Sequence, residues 1–238
     1  MLSVSTDGPS LNTWVLQTYL KLCGIEFCTV PSNNHSSPTG SLPFLLPPAP
    51  QTSPSTEVPL PITPNRLERW ARDHGSRPHT EDQTDKRCDA YLSLVENQIR
   101  NAWLYALYLE PYNFVCVARR LYVESSSSNI LVLALLSHQL HTAAKSELMK
   151  HPSGVDADSL YTEAERALEA LSTVLASNEW FFGRAAPGLF DASVFAYTHL
   201  LLDSNMGWKE DRLVKAVQKW NNLVQHRERV LDRYSLPQ

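Results

Sequence analysis

The chain has 238 residues, with 21 Lys and Arg against 25 Asp and Glu and a formal net charge of −4. That length allows one large core or two small ones, and so mild a charge predicts neither nucleic-acid binding nor a generic attraction to anionic lipid. The 4 cysteines, Cys23, Cys28, Cys88 and Cys116, show neither C-x-x-C spacing nor the density of a disulfide scaffold, which points to a reducing compartment.

The first ten residues, MLSVSTDGPS, lack both the basic start and long apolar core of a signal peptide and the Arg-rich pattern of a presequence. Leu2 to Ser5 predicts a first strand. Leu11, Trp14, Val15, Thr18, Tyr19 and Leu22 then fall at helical spacing, with Gly24 at the C-terminal cap. Phe27 to Pro31 predicts a second strand. The run PSNNHSSPTGSLPFLL, from Pro31 to Leu46, leads into Leu42-Pro43, and an X-Pro bond tolerates cis far better than any other peptide bond. Phe44 to Leu46 suits a short buried strand. From Pro47 to Pro61 six prolines predict an exposed, partly extended loop, 47–61. Val58 to Ile62 fits an edge strand, and Asn65 to His74 a helix with Leu67, Trp70 and Ala71 on one face and Gly75 as its stop.

From Asp85 onward the period is 3.6. Around Tyr91 to Leu109, the residues Leu92, Val95, Ile99, Trp103 and Ala106 make a core-facing stripe, which Pro111 ends. Tyr112 to Val123 predicts a second helix and Ser125 to Ser128 a loop. Asn129 caps a third helix carrying Leu131, Leu135, His138, Thr142 and Leu148, and His151 to Gly154 ends it. Its apolar run, Ile130 to Leu136, falls well short of the roughly 20 residues a bilayer span needs, so any membrane association is peripheral or through a partner. Ser159 to Ser177 holds Leu160, Ala164, Ala167, Leu171 and Val174 in register. Asp191 to Leu202 is apolar almost all round and therefore expects neighbours on every side, as a central helix. Asp211 to Tyr234 reads as a last amphipathic helix burying Leu213, Val217, Trp220, Val224 and Leu231.

A helix that starts inside a protein cannot satisfy its first N–H groups with water. Asp191, three residues after Gly188, can reach back to a free backbone N–H while its charge meets the positive end of the helix dipole. Glycine gives up the side-chain half of a capping box, so the carboxylate carries the task alone.

Strand, helix, strand, Pro43 turn and strand, followed by a helical bundle with an Asp at the start of its central helix, resemble the glutathione transferases and their non-enzymatic relatives. The resemblance implies an α/β plus all-α fold, glutathione-transferase-like: an N-terminal thioredoxin-like domain, 1–78, and a C-terminal helical domain, 79–238. Within that group, the string W-F-F-G-x-x-x-P-x-x-x-D-A-x-V-F-A-Y from Trp180 to Tyr197 is similar to metaxins. So are the Leu11 to Phe27 run, the NNHSSPTGSLPFL segment and Asn101 to Leu109, which most resemble the smaller fungal metaxin-like subunit of the mitochondrial sorting and assembly machinery. That resemblance implies a protein without catalysis or cofactor. It would be peripheral to the cytosolic face of the mitochondrial outer membrane, docked on the β-barrel core subunit and a second metaxin-like subunit, and receiving β-barrel precursors.

The alternative is a glutathione-dependent enzyme. It needs a group to activate a thiol, for which Ser5, Thr6 and Ser10 are candidates near the first helix, and an acid-Ser pair, where the sequence has Thr63-Pro64-Asn65. Proline there removes a backbone donor and the carboxylate is missing. Ser10 reads more simply as a helix cap. His138 and His141 share a helix face, but no third ligand completes a metal site. His35 reads as a loop histidine hydrogen-bonding to the Pro43 turn and, with Tyr105 and Tyr108, as a candidate partner contact. In the cluster Trp103, Tyr105, Tyr108, Tyr112 and Phe114, Trp103 belongs to the buried stripe, whereas Tyr105 and Tyr108 point off it toward solvent. Pro43 and Asp191 are the structural residues of this reading.

Overall fold

A computed structural model describes residues 2–6, 10–32, 42–47, 60–62, 64–77, 86–152 and 154–234. Strand β1 (Leu2–Thr6) pairs in parallel with β2 (Phe27–Pro31), Leu2 opposite Phe27, and helix α1 (Leu11–Leu22) is the crossover between them. Strand β3 (Phe44–Leu46) runs antiparallel to β1, so the sheet order is β2-β1-β3. The Leu42–Pro43 peptide is cis. Val4 and its partner Leu45 have no exposed surface, which fixes the register, since a one-residue slip would turn both to the other face. Of the edge strand expected over Val58 to Ile62, Val58 and Pro59 lie outside the described residues. Ile62 bridges Leu45, donating its N–H to that carbonyl at 2.8 Å. Most of the 47–61 loop and the expected 78/79 domain boundary also lie outside the described residues.

Helix α1 ends in a Schellman turn. Ile25 N–H reaches Leu20 O and Gly24 N–H reaches Lys21 O, with Gly24 left-handed at φ 69°. The turn is clamped by the segment that follows α2 (Pro64–His74): Ser76 and Arg77 donate their N–H groups to Cys23 O, and Ser76 Oγ donates to Gly24 O at 2.8 Å.

The helical half begins with α3 (Lys86–Leu94), which runs through a π-helical turn (Val95–Ile99) into α4 (Arg100–Leu104) and a second π turn (Tyr105–Leu109). Extended Glu110 and Pro111 break the rod, as proline at a helix start requires. The expected Tyr112 to Val123 helix is present but wound differently: α5 (Pro111–Asn113) opens into a π-helical stretch (Phe114–Val123), closed by Glu124 N–H to Arg119 O. Next come α6 (Ile130–Leu148), capped by Asn129, and α7 (Ala157–Leu175), capped by Asp156. The chain then forms α8 (Leu189–Leu202), α9 (Arg212–Gln218) and α10 (Asn221–Tyr234).

Two of these helices depart from the sequence reading. The last amphipathic helix is two, because the chain turns at Lys219 and Trp220 and presents Asn222 to the end of α7. There Asn222 Nδ2 donates to Ser172 O and Ala176 O, and Ser172 Oγ donates back to Asn222 Oδ1. The break shifts the buried set to Leu213, Ala216, Val217, Leu223, His226, Val230 and Leu231, leaving Trp220 and Val224 half-buried. In α6 the expected set is buried only at Leu148: Leu131 is 79% exposed and Leu135 56%, and His138 and Thr142 are exposed as well.

Two apolar clusters meet at α8. One joins the sheet and α1 to Trp180, Ala192, Phe195, Val230 and Leu231; the other fills the helical half and takes Phe190, Val194, Tyr197 and Leu200 from the same helix. Helix α8 is therefore the shared wall, in keeping with an apolar pattern that goes almost all the way round.

Candidate functional site

A cleft of about 560 Å³ opens where the sheet half meets the helical half. Leu11, Asn12 and Val15 of α1 and the Leu42–Pro43 turn form one wall, and Leu92, Val95, Glu96, Asn97 and Arg100 the other, with Ser193 and Tyr197 of α8 also lining it. The first π turn carries three of these residues. On this wall Arg100 Nη1 meets Glu147 Oε1 at 3.1 Å and Asn97 Nδ2 donates to Ser93 O at 2.7 Å, while Glu96 is exposed. Lys150 and then Arg100, through hydrogen bonds, hold the Glu147 carboxyl below the usual carboxylate range. Tyr197 is buried, and burial raises its phenol well above its ordinary value.

The candidate thiol-activating hydroxyls are bonded to one another. Ser10 caps α1, accepting from Thr13 N–H at 3.3 Å, and its Oγ lies 2.9 Å from Thr13 Oγ1, which in turn lies 2.8 Å from Thr6 Oγ1. Ser5 is buried within β1. Thr63, the side chains of Pro64 and Asn65, and His35 with its neighbours in 33–41 lie outside the described residues.

Tyr105 and Tyr108 do not point freely to solvent. Both are half-buried, Tyr105 edge-on to Tyr161 with centroids 5.8 Å apart and Tyr108 tilted against Tyr122 at 6.3 Å. Tyr108 and Tyr122 border a second cavity of about 400 Å³, together with Ser10, Arg100 and Leu140. The exposed aromatic of the group is Tyr112, at 72%. His141 lies against Phe114 at 4.0 Å, and burial, then His138, lowers its pKa. Among the described residues no three metal-ligating side chains come together.

Asp191 has no exposed surface and gathers three donors. Its Oδ2 accepts from Gly188 N–H at 2.9 Å, closing the start of α8, and its Oδ1 accepts from Phe181 N–H and His226 Nε2, each at 3.1 Å. The sequence reading missed His226. Its signal was a histidine on the apolar face of α10, at helical spacing from Leu223 and Val230. Asn113 was missed as well: wholly buried, it accepts from Lys209 and Glu210 N–H groups and donates to Glu210 O, pinning the loop before α9.

Residues 12–113 match the family model described as glutathione S-transferase N-terminal domain, and residues 164–230 the one for the glutathione S-transferase C-terminal domain. Metaxin-1 of Mus musculus is 26% identical over 233 residues, 94% of this chain and 70% of that protein. Metaxin-1 of Macaca fascicularis is 30% identical over 191 residues, 74% of this chain but only 55% of that protein, so the chain spans about half of that relative. Among solved structures, a glutathione transferase from Burkholderia graminis with two glutathione molecules bound per subunit superposes with a TM-score of 0.58 at 13% identity, over 98% of this chain and 84% of that one. A family member from Pseudomonas fluorescens with two glutathione bound gives 0.56 at 12% identity, over 98% and 88%. Identity that low speaks for the fold alone, and the fold is that of the glutathione transferases. Sequence likeness to metaxin-1 runs over 94% of this chain at 26% identity, so the chain is metaxin-like in sequence and has the glutathione-transferase fold.

Proposed function

We propose that this chain is a non-catalytic subunit of the mitochondrial outer-membrane sorting and assembly machinery. It sits on the cytosolic face, docks the β-barrel core subunit and a second metaxin-like subunit, and helps recognise and insert β-barrel precursors. The observation that carries the reading is the state of the cleft. Glutathione brings two carboxylates and a thiol that must be ionised, so a transferase site needs free cations and an activating donor. The guanidinium lining this cleft, Arg100, is already paired with Glu147, and at the start of α1, next to the cleft's Leu11, Ser10 and Thr6 are bonded through Thr13. A wall kept in shape by its own hydrogen bonds serves packing better than turnover.

The assignment to the smaller of the two metaxin-like subunits rests on the Leu11 to Phe27 run and the segment before Pro43. No helix of the described residues is long and apolar enough to cross a membrane. Attachment through the barrel subunit accommodates that.

Crosslinking the chain to a radiolabelled β-barrel precursor in isolated mitochondria tests the proposal. A specific adduct, lost when the precursor's last strand is altered, supports it; no adduct with an otherwise assembled complex rules against it. Retention on glutathione resin, or thiol conjugation above background that Ser10→Ala abolishes, would replace it with the enzyme reading.

A further inference from the structure

The first two turns of α6 are apolar and uncovered. Ile130 and Leu131 are each 79% exposed, Leu135 56% and Val132 39%, and Ala134 is exposed as well. At 3.6 residues per turn these positions sweep an arc of about 200° around the helix axis. Leu133 and Leu136 alone among the hydrophobic residues of this stretch turn inward, and then only partly. The helix emerges here from the hairpin it forms with the Phe114–Val123 stretch, and the turn between them is the serine run Ser125 to Ser128. From residue 125 to residue 144 there is no Asp, Glu, Lys or Arg.

Three features choose among occupants. A rigid protein partner covers one face of a helix, whereas an arc of more than half the circumference is covered by a medium that flows around it. The exposed apolar area, on the order of 500 Å², is toward the upper end of the largest patch a typical monomer leaves bare, which marks it as a contact surface. The third feature is charge: Arg119 and Glu124, just before the serine run, are paired with each other at 3.1 Å, and the patch and the run themselves, with no charged side chain, offer a protein partner no electrostatic register. They match instead the neutral headgroup and acyl boundary of a zwitterionic leaflet, where serine hydroxyls remain among the headgroups.

We propose that the hairpin tip at Ile130 to Leu135 inserts directly into the headgroup and acyl boundary of a zwitterionic bilayer, as a monotopic anchor. The proposed function places the chain at a membrane surface through its partner; this contact is additional, and it stands on the hairpin alone.

The test is co-flotation of the purified full chain with phosphatidylcholine vesicles. The chain should float with them equally at low and high salt, because no charge takes part. Leu131→Glu/Leu135→Glu, which alters only exposed positions and should leave the circular-dichroism melt unchanged, should reduce the vesicle-bound fraction by about tenfold or more. In Leu131→Trp, vesicles should shift the new tryptophan's emission to the blue. A wild-type chain that stays with the soluble fraction overturns the inference, as does a double variant that floats like wild type. So does a dimer in light scattering that the double variant dissolves, which would assign the patch to a second copy. Precursor crosslinking in mitochondria reads the assembly role separately: lost crosslinking with intact flotation strikes the assembly role alone, and intact crosslinking without flotation strikes the anchor alone.

Discussion

His226 Nε2 stands 3.1 Å from Asp191 Oδ1, and neither side chain has any exposed surface. The contact ties α10 to the start of α8 and gives the carboxylate a third donor beside the Phe181 and Gly188 N–H groups. Trp180 and Phe181 stand edge-on to the imidazole, at 5.8 and 5.2 Å, and shield it from water.

Asp191→Ala therefore costs more than a lost helix cap, which is worth about 0.5–2 kcal/mol. It strands three buried donors, and the expected loss is about 3–5 kcal/mol. Chemical denaturation measures it. A double-mutant cycle with His226→Leu should give a coupling of about 1–3 kcal/mol between the two side chains. Additive effects would show that the two residues act independently.

The capping role of Asp191 is legible from sequence because a cap is local: Gly188 and Asp191 are three residues apart, and the helix behind them is apolar all round. His226 is not legible, since its partner lies 35 positions away in sequence and only packing brings α10 against α8. The same distinction covers the rest of the fold. Short strand-like runs and period 3.6 mark the strands and most helices, and they place the central helix correctly. They cannot see that Asn222 reaches Ser172 and so divides the last helix, nor that wider winding after Pro111 changes which residues face inward. Leu131 and Leu135 show the limit most plainly, because an apolar stripe is a demand for cover and does not say what supplies it. The cleft was legible only in part: the Pro43 turn was visible, but the pairing of Arg100 with Glu147 joins residues 47 positions apart.

Asn113→Ala should destabilise the helical half by about 2–4 kcal/mol, because it leaves the N–H groups of Lys209 and Glu210 and the carbonyl of Glu210 without their side-chain partner. Hydrogen exchange distinguishes this from a general loss of packing. The amides of Lys209 and Glu210 should lose protection first, while those of α1 keep theirs.

Gly24→Ala should cost about 1–3 kcal/mol, from two sources. A left-handed φ of 69° disfavours any side chain, and the new Cβ would lie 2.5 Å from Ser76 Oγ and 2.7 Å from Arg77 Cγ. Ser76→Ala on top of Gly24→Ala should recover part of the loss, by relieving one collision and leaving the backbone strain. Equal melting temperatures for the single and double variants would dismiss the collision as a contributor.

His199 gives stability its pH dependence on the mildly acidic side. It is 1% exposed, its ring packs 4.4 Å from Trp14 and stacks on Phe195, and neither ring nitrogen has a hydrogen-bond partner among the described residues. Burial first, then the charge of Arg227, pushes its pKa down to about 4, against the weaker upward pull of Asp203. The native state therefore keeps the ring neutral over a range in which the unfolded chain, with an ordinary value near 6.5, takes up a proton. Above pH 6.5 both states are neutral and nothing is lost. From about 6.5 down to about 4 the unfolded state binds more protons and stability falls, by about 2–3 kcal/mol in all. Glu147 and Asp156, whose carboxyls are held low by their hydrogen-bonded neighbours, release their contribution only at lower pH. His199→Phe retains the stacked ring and removes both unpaired nitrogens. It should leave the chain at least as stable at pH 7 and flatten the denaturation midpoint between pH 6.5 and 4; an undiminished slope in that window would assign the pH dependence to another group.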